Sequence, residues 1–132
     1  MSSDTPTATT PKWMFWTGWV VSFLPAAMLV MSGTFKLAAP IAVAESSKDI
    51  GWDNEHLIVA LGLLELACVF VYVVPPTAVL GAVLMTGYIG GAIATHVRVG
   101  EMFVVQVLLG VLVWAGLWLR DARLRSILPW RG

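Results

Sequence analysis

What the chain has little of decides much about it. Only 12% of its 132 residues are charged, whereas a soluble domain carries about 25%. Its single cysteine, Cys68, rules out a disulfide framework, a CxxC redox pair or a thiolate metal cluster within one copy. Its two histidines, His56 and His96, match no metal-ligand spacing, and no metal site is expected. The formal net charge is zero and the basic residues do not interleave with aromatics, so nucleic acid is not an expected partner. The first apolar run is too long for the core of a signal peptide and reads as an uncleaved first span.

What is present is apolar. The chain is 58% hydrophobic, with a mean hydropathy of +0.83. Four runs, residues 15–36, 57–74, 77–97 and 102–119, are each long enough as a helix to cross a hydrocarbon core of ~30 Å. The expected fold is all-α, a transmembrane four-helix bundle over residues 13–120 in contact with the lipid bilayer. A disordered polar tail (1–12) precedes it and a basic cytoplasmic tail (121–132) follows. No soluble catalytic domain is left over, so a stand-alone enzyme is not expected.

Lys12, Arg120, Arg123, Arg125 and Arg131 fall on the side of both termini, against Lys36, Lys48 and Arg98 on the other. This excess predicts cytoplasmic termini and a cell (inner) membrane location. Trp13, Trp16, Trp114 and Trp118 suit headgroup depth on that side. Pro75-Pro76 predicts a tight hairpin between the second and third spans. In the first loop Pro40 can start a short helix and Gly51 end it, Asp53 or Asn54 can cap the next span, and Trp52 can anchor the loop.

At helical spacing the small and polar residues of each run share a stripe. These are Ser22, Pro25, Ala26, Leu29, Ser32/Gly33 and Lys36; then Gly62, Glu65, Cys68 and Tyr72; then Gly81, Met85, Tyr88, Ala92 and His96; then Gln106 and Gly110. Gly87 and Gly91 add small-xxx-small spacing, which predicts close helix approach. Helical side chains tilt toward their own N-terminus, so Lys36 leans into the bundle while Glu65, on an oppositely directed span, leans to meet it. An unpaired charge at that depth costs about 2.5–3.5 kcal/mol. The expected polar site is therefore a Lys36–Glu65 pair with His96 within hydrogen-bonding range of one member, and with Gln106 and Tyr88 near it. It serves binding or a proton relay, or only fixes helix register.

The segments SGTFKL (residues 32–37), GLLELAC (62–68) and PPTAVLGAVLMTGYIGGAIATHVRVGE (75–101) resemble the DoxX-like family of small four-span membrane proteins, over roughly residues 30–119. Carried over, the family's recurrent polar positions fall on Lys36, Glu65, Thr95, His96 and Arg98. The wider DoxX group includes a small subunit of a quinone-reducing thiosulfate oxidoreductase. The resemblance thus implies a link to membrane redox systems.

Three functions follow as expectations. The first is an accessory subunit of a quinone-linked redox system. There a cleft lined by Tyr88, Met85 and Phe35, with Lys36 and His96 at its mouth, holds a quinone, and a redox partner protein supplies electrons. The second is a proton or small-solute pathway, which at this size calls for a homo-oligomer. The third is a non-catalytic assembly or scaffold protein.

Overall fold

A computed structural model describes residues 10–128. Residues 1–9, most of the expected disordered tail, and residues 129–132, the end of the basic tail with Arg131, lie outside the described residues. The described chain is helical: α1 (Lys12–Ala38), α2 (Pro40–Ser46), α3 (Glu55–Val73), α4 (Ala78–Arg98), α5 (Val104–Arg120) and α6 (Ala122–Ile127).

Local chemistry sets the boundaries. Pro40 occupies the first turn of α2, where its missing N–H costs nothing. A 3-10 turn, Lys48–Ile50, ends on Gly51 at φ 88°, a left-handed conformation suited to glycine. Of the two candidate caps for α3, Asn54 takes the role: its Oδ1 accepts from the His56 N–H at 2.9 Å. Pro75–Thr77 forms the turn between α3 and α4, and the Thr77 hydroxyl donates to Val71 O at 2.8 Å.

The helices α1, α3, α4 and α5 form an antiparallel ring. Both α1 and α4 pack on α3 and on α5, which puts α1 and α4 on the diagonal. Three seams are drawn tight by glycine, one of them α3–α4, where a Cβ on Gly81 would run into the Tyr72 backbone. At α1–α5, a Cβ on Gly18 would lie 2.8 Å from Gly116 O. At α1–α3, a Cβ on Gly62 would lie 3.0 Å from both Gly33 O and the Lys36 Cβ. Any larger residue there forces the helices apart.

The arrangement is inverted relative to a water-soluble bundle. The interior face of α1 is small and polar (Gly18, Ser22, Pro25, Ala26, Gly33), and Leu29 is its one large apolar member. Its outer face carries Trp13, Trp16, Phe23 and Met31, each about two-thirds exposed. Phe70, Leu108 and Met102 continue that apolar surface on other elements. A contiguous shell of this kind needs a partner less polar than water. Three helical segments, Lys12–Ala38, Glu55–Val73 and Pro75–Arg98, are long and apolar enough to cross a membrane. At 17 residues α5 is shorter, about 25 Å from end to end.

The stretch expected as a basic tail contains α6, which folds back on the bundle. Leu124 is buried, Trp118 Nε1 donates to Leu128 O at 3.1 Å, and Arg125 Nη1 donates to Trp118 O and Leu119 O. Those two carbonyls belong to the last turn of α5, where α-helical partners run out.

Candidate functional site

The tight α1–α3 seam determines where Lys36 goes. With Gly62 opposite its Cβ, the ammonium runs along the interior and stops 2.6 Å from Glu65 Oε2. Ser32, one turn earlier on α1, accepts from Lys36 Nζ at 2.6 Å and donates to Glu65 Oε2 at 3.3 Å. From α4, the Tyr88 hydroxyl donates to the same carboxylate oxygen at 3.0 Å. Three helices thus converge on one atom. The Glu65 side chain is 1% exposed and that of Lys36 17%. Ionic attraction and two hydroxyl donors offset the desolvation of the carboxylate, which burial alone would make prohibitive.

His96 takes a different course. Its Nδ1 lies 2.7 Å from Ala92 O on its own helix; a carbonyl only accepts, so Nδ1 carries the hydrogen. Nε2 then faces α5, 3.4 Å from Gln106 Nε2 and 3.8 Å from Glu101 Oε2. Among the described residues His96 bonds neither Lys36 nor Glu65, contrary to expectation. The reason is topological. Its partners lie on and just before α5, whereas Lys36 sits across the diagonal on α1. The anticipated single polar region is two clusters, Lys36–Ser32–Glu65–Tyr88 and His96–Gln106–Glu101. In the second, Gln106 Oε1 is buried without a hydrogen-bond partner among the described residues.

Both clusters border a cavity of about 470 Å³. The segment between α1 and α3 roofs it with Val43 of α2 and with Ser47, Ile50 and Trp52, and α3 and α4 wall it with Ile58, Leu61, Leu64, Gly87 and Gly91. Lys36, Tyr88, Thr95 and His96 are its polar lining from the helices. Two residues expected there are elsewhere. Met85 is fully buried in the core, and Phe35 is 59% exposed on the outer surface, lining a separate groove. Gly87 and Gly91 also depart from expectation. A Cβ on either would meet nothing within 4 Å, so no helix approaches them, and they leave the cavity wide instead.

The two secondary residues have local roles. The Thr95 hydroxyl donates to Gly91 O of its own helix at 2.8 Å. Arg98 Nη2 donates to Ile50 O at 3.2 Å and lies over Gly51, fastening the roof loop to the end of α4. The sequence reading missed Ser32 as a site member and Trp52 as a cavity residue. It also read Arg120 only as an orientation signal, although that side chain is 8% exposed. The signal was present: Leu109, Val113, Gly116 and Arg120 continue one helical stripe.

Fold and site together define a class: a helical, membrane-type protein with a buried carboxylate, one oxygen of which takes three donors, and a cavity beside it. The chain belongs to the DoxX-like family, whose family model matches residues 20–119. Neither a curated protein nor a solved structure matches the chain.

Proposed function

We propose that the protein is a multi-pass component of the cell (inner) membrane with both termini cytoplasmic, acting as a small accessory subunit of a quinone-linked redox system. In this reading α5, packed between α1 and α4, is the fourth span, and the cavity takes a quinone headgroup. The cavity carries the reading. Its 470 Å³ falls within the ~300–1,000 Å³ usual for ligand sites, and its lining is mostly apolar with a few convergent donors.

A quinone ring offers two carbonyl acceptors and an apolar body. Lys36 has three N–H bonds, of which Ser32 and Glu65 take two. The Trp52 indole is a donor only, and it makes no hydrogen bond to a described residue. One donor thus comes from the bundle and one from the roof. Lys36 is already ordered by Glu65, so binding need not freeze a long side chain again. With one cysteine and two histidines in the chain, electrons would come from a partner redox protein.

A transmembrane proton relay is less well supported. Between the Glu65 cluster and the polar groups at the opposite end lie Ala26, Leu29, Val69, Ala82 and Met85, all apolar and buried. The test is gentle purification with mass spectrometry of co-extracted quinones and proteins, run in parallel on Gly91→Phe. That substitution fills the cavity without meeting a neighbour at its Cβ. Wild type should carry a quinone that the variant lacks, at equal yield. Equal quinone content in both would end this reading, and loss of yield in step with any phenotype would favour the scaffold reading.

A further inference from the structure

The opposite end of the bundle holds a second polar arrangement that the cavity does not use. Arg120, the last residue of α5, is 8% exposed. Its Nε donates to Ser22 Oγ at 3.2 Å and its Nη2 to Tyr72 O at 3.1 Å. The guanidinium carbon sits 4.2 Å from the Trp19 ring centroid and 4.9 Å from that of Tyr72. Ser22 Oγ is 2.9 Å from the Tyr72 hydroxyl, which reaches Val113 O at 2.7 Å. Side chains of α1 and α3, with the Tyr72 carbonyl, thus fix one guanidinium in place.

All of these partners are neutral. Among the described residues no carboxylate lies within 4 Å of Arg120, since the neighbouring Asp121 pairs with Arg123 at 3.5 Å. Ring faces and the C-terminal ends of α3 and α5 offset part of a buried cation, yet they leave it without a counter-charge. Nη1 makes no hydrogen bond to any described residue. The same guanidinium lines a cavity of about 290 Å³ with Arg123 and Asp121 on one side and Phe15, Trp19 and Pro75 on the other. Its lining holds two arginines and one aspartate and is otherwise apolar, at the end of the bundle where α1 begins.

We propose that this cavity binds a phosphate group, with Arg120 as the fixed donor and Arg123 as the mobile one. The chemistry is a tetrahedral oxyanion accepting planar, charge-assisted hydrogen bonds. It can be presented by an anionic phospholipid, whose glycerol and first acyl carbons would lie against Phe15 and Trp19, or by free phosphate.

The experiment uses the full chain in non-ionic detergent. It is titrated with phosphatidylglycerol or phosphatidylcholine in mixed micelles and, separately, with inorganic phosphate, and occupancy is read by native mass spectrometry and phosphorus NMR. One saturable phosphatidylglycerol should bind, with phosphatidylcholine weaker. Arg120→Gln should weaken it at least about tenfold, as expected for loss of one charge-assisted contact. If that variant fails to fold, two changes of opposite sign beside it decide. Arg123→Ala should weaken binding roughly two- to five-fold, in keeping with an exposed charge. Asp121→Asn keeps a cap for α6 while removing the competing carboxylate, and it should tighten binding. Saturable phosphate binding with the same variant pattern, and none for the lipid, assigns the site to the free ion. No saturable binding of either, or affinities indifferent to Arg123→Ala and Asp121→Asn, overturns the proposal.

Discussion

Replacing Glu65 with leucine strands Lys36. The ammonium is 17% exposed and loses its only carboxylate among the described residues, while Ser32 and Tyr88 lose the acceptor for their hydroxyls. Removing one member of a buried pair costs about 3–5 kcal/mol, because the other charge stays desolvated. Lys36→Met should cost a similar amount by stranding the carboxylate. The double variant Lys36→Met/Glu65→Leu leaves no charge behind, so it should lie close to the milder single variant rather than at the sum. The coupling should then equal the larger single loss, about 3 kcal/mol or more, at the upper end of measured pairs. For a chain of this length a loss of 3 kcal/mol corresponds to a drop in melting temperature of roughly 10 °C. The assay is reversible unfolding in mixed micelles for wild type, both singles and the double, followed by the far-UV helical signal. If the two single losses simply add, the 2.6 Å contact carries no energetic coupling and the argument for an interior ion pair collapses.

Other perturbations probe different parts of the same reasoning. Gly62→Val puts methyl groups where a Cβ already sits 3.0 Å from Gly33 O, so it should destabilise the chain by at least about 1–3 kcal/mol. It should also abolish the Lys36–Glu65 coupling in the same micelle assay. Tyr72→Phe removes the hydroxyl that lies between Ser22 Oγ and Val113 O. Val113 O keeps its bond within α5 and Ser22 Oγ keeps Arg120, so the expected loss is that of an ordinary hydrogen bond, about 0.5–1.5 kcal/mol. Tyr88→Phe removes one of three donors to Glu65 and should cost only about 0.6 kcal/mol, the average for interhelical hydrogen bonds in bilayers. Asn54→Ala should lower helix stability by about 1 kcal/mol through loss of the α3 cap, without touching the cavity.

The stripe of small and polar residues was legible because it is a periodicity. Of the residues it named on the first two runs, Ser22, Pro25, Ala26, Leu29, Gly33, Gly62, Glu65, Cys68 and Tyr72 are all buried. Period and depth are properties of one helix, and one helix is what a local pattern encodes. The position of His96 was not legible for the complementary reason. Whether it faces α1 or α5 depends on which helices are neighbours in the ring, and the pattern of α4 alone does not contain that order. Gly87 and Gly91 show the same gap. Their spacing permits close approach, but only the neighbour's position says whether anything approaches. Arg120 escaped because a basic residue ending an apolar run has an interfacial reading that fits without any structure.

The glycines distinguish an architectural from a functional use of small residues. Gly18, Gly33, Gly62 and Gly116 each have heavy atoms of another helix where a Cβ would stand, so their smallness is used up in contact. Gly87 and Gly91, on the cavity wall, meet nothing, so contact within one chain does not account for theirs. A bundle selected only for register would gain from alanine at both, since glycine inside a helix costs about 1 kcal/mol. The space they leave lies beside Tyr88, the α4 donor to Glu65, and one helical turn from His96. Gly87→Ala with Gly91→Ala should therefore raise stability by up to about 2 kcal/mol, while larger residues at the same positions compete with whatever occupies the cavity. A double variant that is stabilised and still binds shows that the space, not the backbone freedom, is what the site uses; one that is destabilised means the two glycines belong to a contact between chains.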